Sequence, residues 1–320
     1  MTRRKELKTE HYIEPSGPAD RVKQAPTRFI RPDVLSRIAS LELVARSVVE
    51  GFVSGLHRSP YKGFSVDFME YRPYIHGDDL MHVDWKAYAR TDRLFVKEFE
   101  DETNTHLQLM VDVSRSMGYT SGGISKFDYA MYLAASLAYL VVRQRDAVGL
   151  TLFDDKVVRR VPARSTRGHL VSVLSELEHV ELGGGSAMGK PLHELAERHR
   201  RRGFAVVVSD FFDDLDEIVE GLKHFCFRGH DLMLFQILDP AEANFTFSDL
   251  AEFEDMETGR KLIVESQTAR DEYIENLRRF QGRLRKECGL LGVDYTILTT
   301  DQPLDFALFN YLAARTRRRR

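Results

Sequence analysis

The chain has 320 residues, 43% of them apolar, enough to bury a core in one large domain or two small ones. Acids and bases nearly cancel, 49 against 46, and a formal charge of -3 argues against a bulk polyanion binder such as a nucleic-acid protein. Cys226 and Cys288 are too few for a disulfide framework or a cysteine-rich zinc site, which fits a reduced, cytoplasmic setting.

The first 32 residues are polar, with prolines at 15, 18, 26 and 32, and read as a flexible tail without the apolar segment of a signal peptide. From Asp33 to about Ser54, Leu35, Ile38, Leu41, Val44, Val48 and Phe52 recur at helical spacing, with Asp33 as a candidate cap. Two short strand-like runs follow, near 64–71 and 94–100. They flank a polar centre rich in Asp, Arg and His. Residues 33–105 are thus expected to form a helix and small β elements ahead of the main domain, 106–315, with 316–320 as a basic tail.

From His106 the pattern alternates. "HLQLMVDV" reads as a strand and Lys126 to Arg145 as a helix. "AVGLTLF" is a strand, with "KVVRRVP" a candidate for another. Ser165 to Glu178 and Lys190 to Arg202 read as helices, and "FAVVVSD" as a strand. Leu215 to Phe227 is helical, "DLMLFQILD" a strand and "RKLIVES" a short strand. Ala269 to Cys288 is helical, "VDYTILTT" a strand, and Leu304 to Arg315 a last helix. Strands alternating with helices imply βαβ units, and the continuous apolar "AVVV" implies a parallel sheet covered on both faces. The longest apolar run, residues 129 to 142, is shorter than the ~20 residues a bilayer requires and reads as a buried helix.

Ligands of such sheets bind beyond the carboxyl ends of the strands. Three polar groups stand there: Asp112, Ser114 and Ser116 after the first strand, "GGGSAMG" at 183–189, and Ser209 and Asp210 after "FAVVV". Their donors are all oxygens, the preference of a hard cation such as Mg²⁺. Glycines 183 to 185 would let the second loop approach closely.

"DVSRSM" resembles the D-x-S-x-S element of the metal-ion-dependent adhesion site of von Willebrand factor A-like domains. The resemblance implies an α/β, doubly wound, mostly parallel sheet with helices on both faces. It implies that Asp112, Ser114, Ser116, Ser186 and Asp210 line a Mg²⁺ or Mn²⁺ site. Ser186 stands where that family usually has threonine. The preceding segment, "EYRPYIHGDDLMHVDWKAYARTDRLFVKEFEDE", looks like the stretch ahead of such a domain in the bacterial family called domain of unknown function 58. Arg72, Tyr74, Gly77, Asp78, Asp79, Asp84, Trp85, Lys86, Ala89, Arg90 and Glu98 carry the match. That resemblance implies a partner, an AAA+ ATPase of the MoxR type, and a non-enzymatic role in which a partner's acidic residue completes the metal shell.

Several rival readings weaken on inspection. "GGSAMGKP" imitates a phosphate loop, but Pro191 replaces the hydroxyl that would hold Mg²⁺, and reads instead as the first residue of a helix. Met188 spoils the G-x-S-x-G of a serine hydrolase, and "HELAERH" lacks the i, i+4 histidines of a zincin. A metal-dependent hydrolase or phosphoryl-transfer enzyme using Asp112 or Asp210 is the principal alternative. It lacks a lysine or histidine in the three loops other than Lys190. His57, His76 and His82 read as a surface cluster, Trp85 as core, and "RTRRRR" as a solvated tail. Phe211 and Phe212 are either a contact rim or buried.

Overall fold

A computed structural model describes residues 32–36, 40–58, 71–73, 88, 90, 95–97, 106–185, 188–198, 203–247, 250–254 and 261–318. The main sheet has six strands: β3 (His106–Asp112), β4 (Ala147–Phe153), β5 (Val157–Arg164), β6 (Phe204–Ser209), β7 (Asp231–Leu238) and β10 (Asp294–Thr299). Their order is β10-β7-β6-β3-β4-β5. All neighbours run parallel except β5, which turns back against β4. The turn between β4 and β5 is Asp154–Lys156, far too short for a parallel crossover. The mixed α/β, mostly parallel architecture expected from the sequence is the one found.

Alternation along β3 explains the two covered faces. Leu107, Leu109 and Val111 enter a core shared with helices α2 (Leu41–Arg58), α3 (Lys126–Arg143), α4 (Arg167–His179) and α9 (Asp305–Arg318). Met110 points the other way, with Val207 and Leu234, against α5 (Gly189–Arg198), α6 (Leu215–Phe227) and α8 (Ser266–Leu291). Helix α3 starts with a capping box: Ser125 Oγ accepts from Asp128 N, and the Asp128 carboxylate accepts from Ser125 N. Fourteen of its eighteen residues are buried, so it is the central helix of its face. It ends two residues before Arg145, which lies in the left-handed region at φ 62°.

Some boundaries differ from the sequence reading. The first helix is two pieces, α1 (Pro32–Leu35) and α2, and the N-terminus of α2 is held from another element, since Leu41 N donates to Glu178 Oε1 at 3.0 Å. Of the two early strand-like runs, only β1 (Tyr71–Pro73) and β2 (Phe95–Lys97) are described, paired antiparallel. Pro191 is the third residue of α5, not the first. A short helix, α7 (Pro240–Asn244), and a hairpin of β8 (Leu250–Glu254) with β9 (Lys261–Glu265) were not foreseen in full. Trp85, His76 and His82 lie outside the described residues. Among the described residues, no helix is long and apolar enough to cross a membrane.

Candidate functional site

The strand order reverses between β3 and β6. The first three strands of the sheet step away on one side, the last three on the other. In doubly wound sheets the loops that follow such a pair of strands part, and ligands bind in the crevice this leaves. Asp112 ends β3 and Asp210 follows β6, so both sequence-predicted carboxylates reach this place, almost completely buried.

Each is locked by its own strand end. Asp112 Oδ1 accepts from Ser114 N at 2.8 Å, and Asp112 Oδ2 accepts from Ser209 Oγ at 2.6 Å. Ser114 and Ser116 bring their hydroxyls to 3.1 Å of each other across a short 3-10 turn, Arg115–Gly118. Asp210 Oδ1 accepts from Phe212 N at 3.2 Å, and its carbonyl accepts from Gln236 Nε2 at 2.8 Å. Gln236 is itself held by Tyr295 Oη on the neighbouring strand. Phe211, fully buried, takes a left-handed φ of 58°. The second loop also arrives: Gly183 N donates to Val113 O at 3.0 Å. Gly184 has φ +69°, and a Cβ there would strike the Asp154 side chain, so this approach requires glycine. Ser186 lies outside the described residues.

One participant was missed by the sequence reading. Lys126, the first residue of α3, is fully buried, and its ammonium donates to Asp210 Oδ2 at 2.8 Å and Glu242 Oε1 at 2.7 Å. The same nitrogen lies 5.0 Å from the Phe212 ring centre and 5.9 Å from that of Tyr119. Lys126 lies outside the three loops, on a fourth element. Its only sequence signal is a lysine between the apolar Ile124 and Phe127 at the start of an otherwise apolar helix. Burial draws the ammonium's proton affinity down, but Asp210 and Glu242 outweigh that and leave its pKa raised. It is therefore a fixed positive charge and a poor base.

The acids outnumber it. Glu242 caps α7 together with Asp239, whose carboxylate also accepts from Ser121 N and Oγ. Four acids, Asp112, Asp210, Asp239 and Glu242, thus gather with one ammonium. Burial first, and the Asp210 charge second, push the Asp112 carboxyl up to about 7. This is a surplus of buried negative charge on oxygen donors, with two hydroxyls alongside, and a hard divalent cation suits that chemistry. Among the described residues, no three His, Cys, Asp or Glu side chains by themselves form a metal-holding group. The candidate set needs its serines.

The other acids after β6 do other work. Asp214 caps α6, accepting from Asp216 N and Glu217 N, and Asp213 accepts from Met188 N ahead of α5. Phe211 is buried, whereas Phe212 is 37% exposed. His193 is exposed on α5 and meets His224 of α6.

A doubly wound domain with an acidic oxygen cluster at its switch crevice is the class of protein defined by this fold and site. The family model described as "Protein of unknown function DUF58" matches residues 70–282, and the chain belongs to that family. It is 24% identical over 291 residues to the uncharacterized protein Rv1480 of Mycobacterium tuberculosis, covering 89% of this chain and 91% of the relative. Uncharacterized protein Mb1516 of Mycobacterium bovis matches to the same extent. Similar solved structures include the conserved hypothetical protein BatB from Bacteroides thetaiotaomicron, at 14% identity and a TM-score of 0.45, over 67% of this chain and 99% of that one. The SpRpn10 VWA domain matches at 13% identity and a TM-score of 0.41, over 64% and 93%. The fold assignment rests on the strand order and orientations given above.

Proposed function

We propose that this protein is a non-enzymatic interaction module. Asp112, Ser114, Ser116, Ser186 and Asp210 hold a Mg²⁺ or Mn²⁺ ion, and a carboxylate of a partner completes its shell. The observation that carries this reading is the buried surplus of acid at the switch crevice, built from oxygen donors and bordered by the exposed ring of Phe212. A bound divalent ion supplies a Lewis-acidic position for the partner's oxygen. The chain's own residues do the rest. Ser209 and the Ser114 amide orient Asp112, Gln236 anchors the backbone at Asp210, and Phe212 offers apolar surface beside the entrance. Lys126 stays protonated on two carboxylates and therefore does not act as a general base. The partner we propose, on the family resemblance, is an AAA+ ATPase of the MoxR type or its client.

The test is a Mn²⁺ titration of the full chain and of Asp112→Ala, followed by thermal unfolding. Mn²⁺ should raise the unfolding temperature of the wild type alone; equal responses remove the metal from the reading. Capture of the ATPase should then be lost in chelator, and capture indifferent to chelator removes the metal's role in binding. Phosphoester turnover that disappears in Asp112→Ala would replace the module with an enzyme.

A further inference from the structure

Lys126 is the one buried ammonium among the described residues of this cluster, and it has two acids to choose between. Its nitrogen is 2.8 Å from Asp210 and 2.7 Å from Glu242, and its side chain is 1% exposed. It comes from the first turn of α3, a helix fixed by its own capping box and buried along most of its length, so the ammonium cannot drift away from the site. Asp210 is also a proposed ligand of the divalent ion. We infer that Lys126 is a tethered competitor for Asp210. It sets how weakly the site holds a divalent cation and leaves the bound ion short of negative charge for a partner's carboxylate to supply.

This rests on the proposed metal site and adds to it a residue that lowers metal affinity. The reasoning is electrostatic. A fixed positive charge hydrogen-bonded to a ligand carboxylate repels a second cation and withdraws charge from their shared oxygen group. Without Lys126, Asp112 and Asp210 would neutralise a divalent ion between them, and an incoming carboxylate would gain little. With Lys126 in place, one of those two charges is already committed. Glu242 modulates the effect from the far side. It takes part of the ammonium's interaction, so its charge both frees Asp210 and adds to the acid surplus.

A purely structural ion pair and a tethered competitor make opposite forecasts. If Lys126 only holds the site together, its loss loosens metal binding, as does the loss of Glu242. If it competes, Lys126→Met tightens Mn²⁺ binding even as the metal-free protein becomes less stable, whereas Glu242→Gln weakens it. The experiment measures Mn²⁺ dissociation constants by calorimetry on the full chain, with the metal-free unfolding temperature alongside. Lys126→Met should bind Mn²⁺ ~10-fold or more tightly than wild type, and Lys126→Arg should restore the weaker binding. If Lys126→Met does not fold without metal, the double variant Lys126→Met/Glu242→Gln removes one charge of each sign and should still bind more tightly than Glu242→Gln alone. Affinity unchanged or weakened in both lysine-to-methionine proteins overturns the inference while leaving the metal site standing. Binding that appears only when Lys126 is removed supports it in its strongest form. No Mn²⁺ binding by wild type or any variant overturns the metal site, and this inference with it.

Discussion

Helix α3 is held at both ends by a buried cation, and the two ends differ in charge balance. At its C-terminal end, Arg315 of α9 donates to the Asp146 carboxylate and to the Gln144 side chain. One guanidinium is set there on one carboxylate and one neutral amide. At the N-terminal end, Lys126 faces Asp210 and Glu242, with Asp112 and Asp239 buried close by. The matched end ties the last helix to the sheet. The mismatched end lies at the switch crevice and carries more negative charge than its own cation can answer. Burial of ionic groups is thus common to both, and the surplus separates a structural tie from a candidate site.

The largest effect is expected at the matched end. Arg315→Met strands the Asp146 carboxylate in the interior and should cost about 3–5 kcal/mol in urea unfolding. The loss should be the same with and without Mn²⁺, because no oxygen cluster is disturbed. A loss that Mn²⁺ repairs would mean the two ends are not independent.

A smaller effect is expected where the second loop enters the mismatched end. Gly184→Ala puts a side chain at φ +69° and against Asp154. It should cost about 1–2 kcal/mol and weaken Mn²⁺ binding as the loop moves off Val113. Normal affinity in a destabilised Gly184→Ala would detach this loop from the site.

Much of this was legible in the chain because it depends on local pattern. Alternating strand and helix runs gave the sheet its class, and Asp112, Ser114, Ser116 and Asp210 stand where strands run out. What was not legible depends on distant partners. Lys126 acquires meaning only from residues 84 and 116 positions away. Arg315, read as the start of a solvated tail, pairs with residues 169 and 171 positions earlier, and α9 continues to Arg318. Ser209 stands out at its strand end, but its bond to Asp112, 97 positions earlier, does not, and Gln236, which holds the backbone at Asp210, looks like an ordinary strand residue. The reversal of β5 was within reach, since three residues cannot make a parallel crossover.

Asp305 tests whether an acid near the carboxyl edge titrates abnormally without being part of the cluster. It opens α9, the helix whose other end carries Arg315, and burial pushes its carboxyl up to about 6. The folded state then holds this proton more tightly than the unfolded chain does. Its contribution therefore falls as pH rises from about 4 to about 6, and is flat above that. Asp305→Asn should remove that slope and stabilise the protein at pH 7 by on the order of 1–2 kcal/mol. Unfolding followed at pH 4, 5, 6 and 7 checks this, and a slope that persists assigns it to other acids.

The smallest effect on stability should come from Phe212, and it bears most directly on what the mismatched end is for. Phe211 and Phe212 are adjacent, yet with a left-handed turn at Phe211 the first ring is buried and the second is partly exposed over Lys126. Phe212 contributes one partly exposed face over the Lys126 ammonium, worth about 0.5–1 kcal/mol. Phe212→Ser should therefore unfold almost like wild type and keep its Mn²⁺ affinity within a few-fold. If the crevice receives a partner, the same change removes the apolar rim beside the proposed ion, and chelator-sensitive capture of the ATPase should fall while Phe212→Tyr retains it. Capture that is indifferent to Phe212 but abolished by Asp112→Ala would confine the contact to the ion and its carboxylate, and would return Phe212 to the role of a cover over a buried lysine.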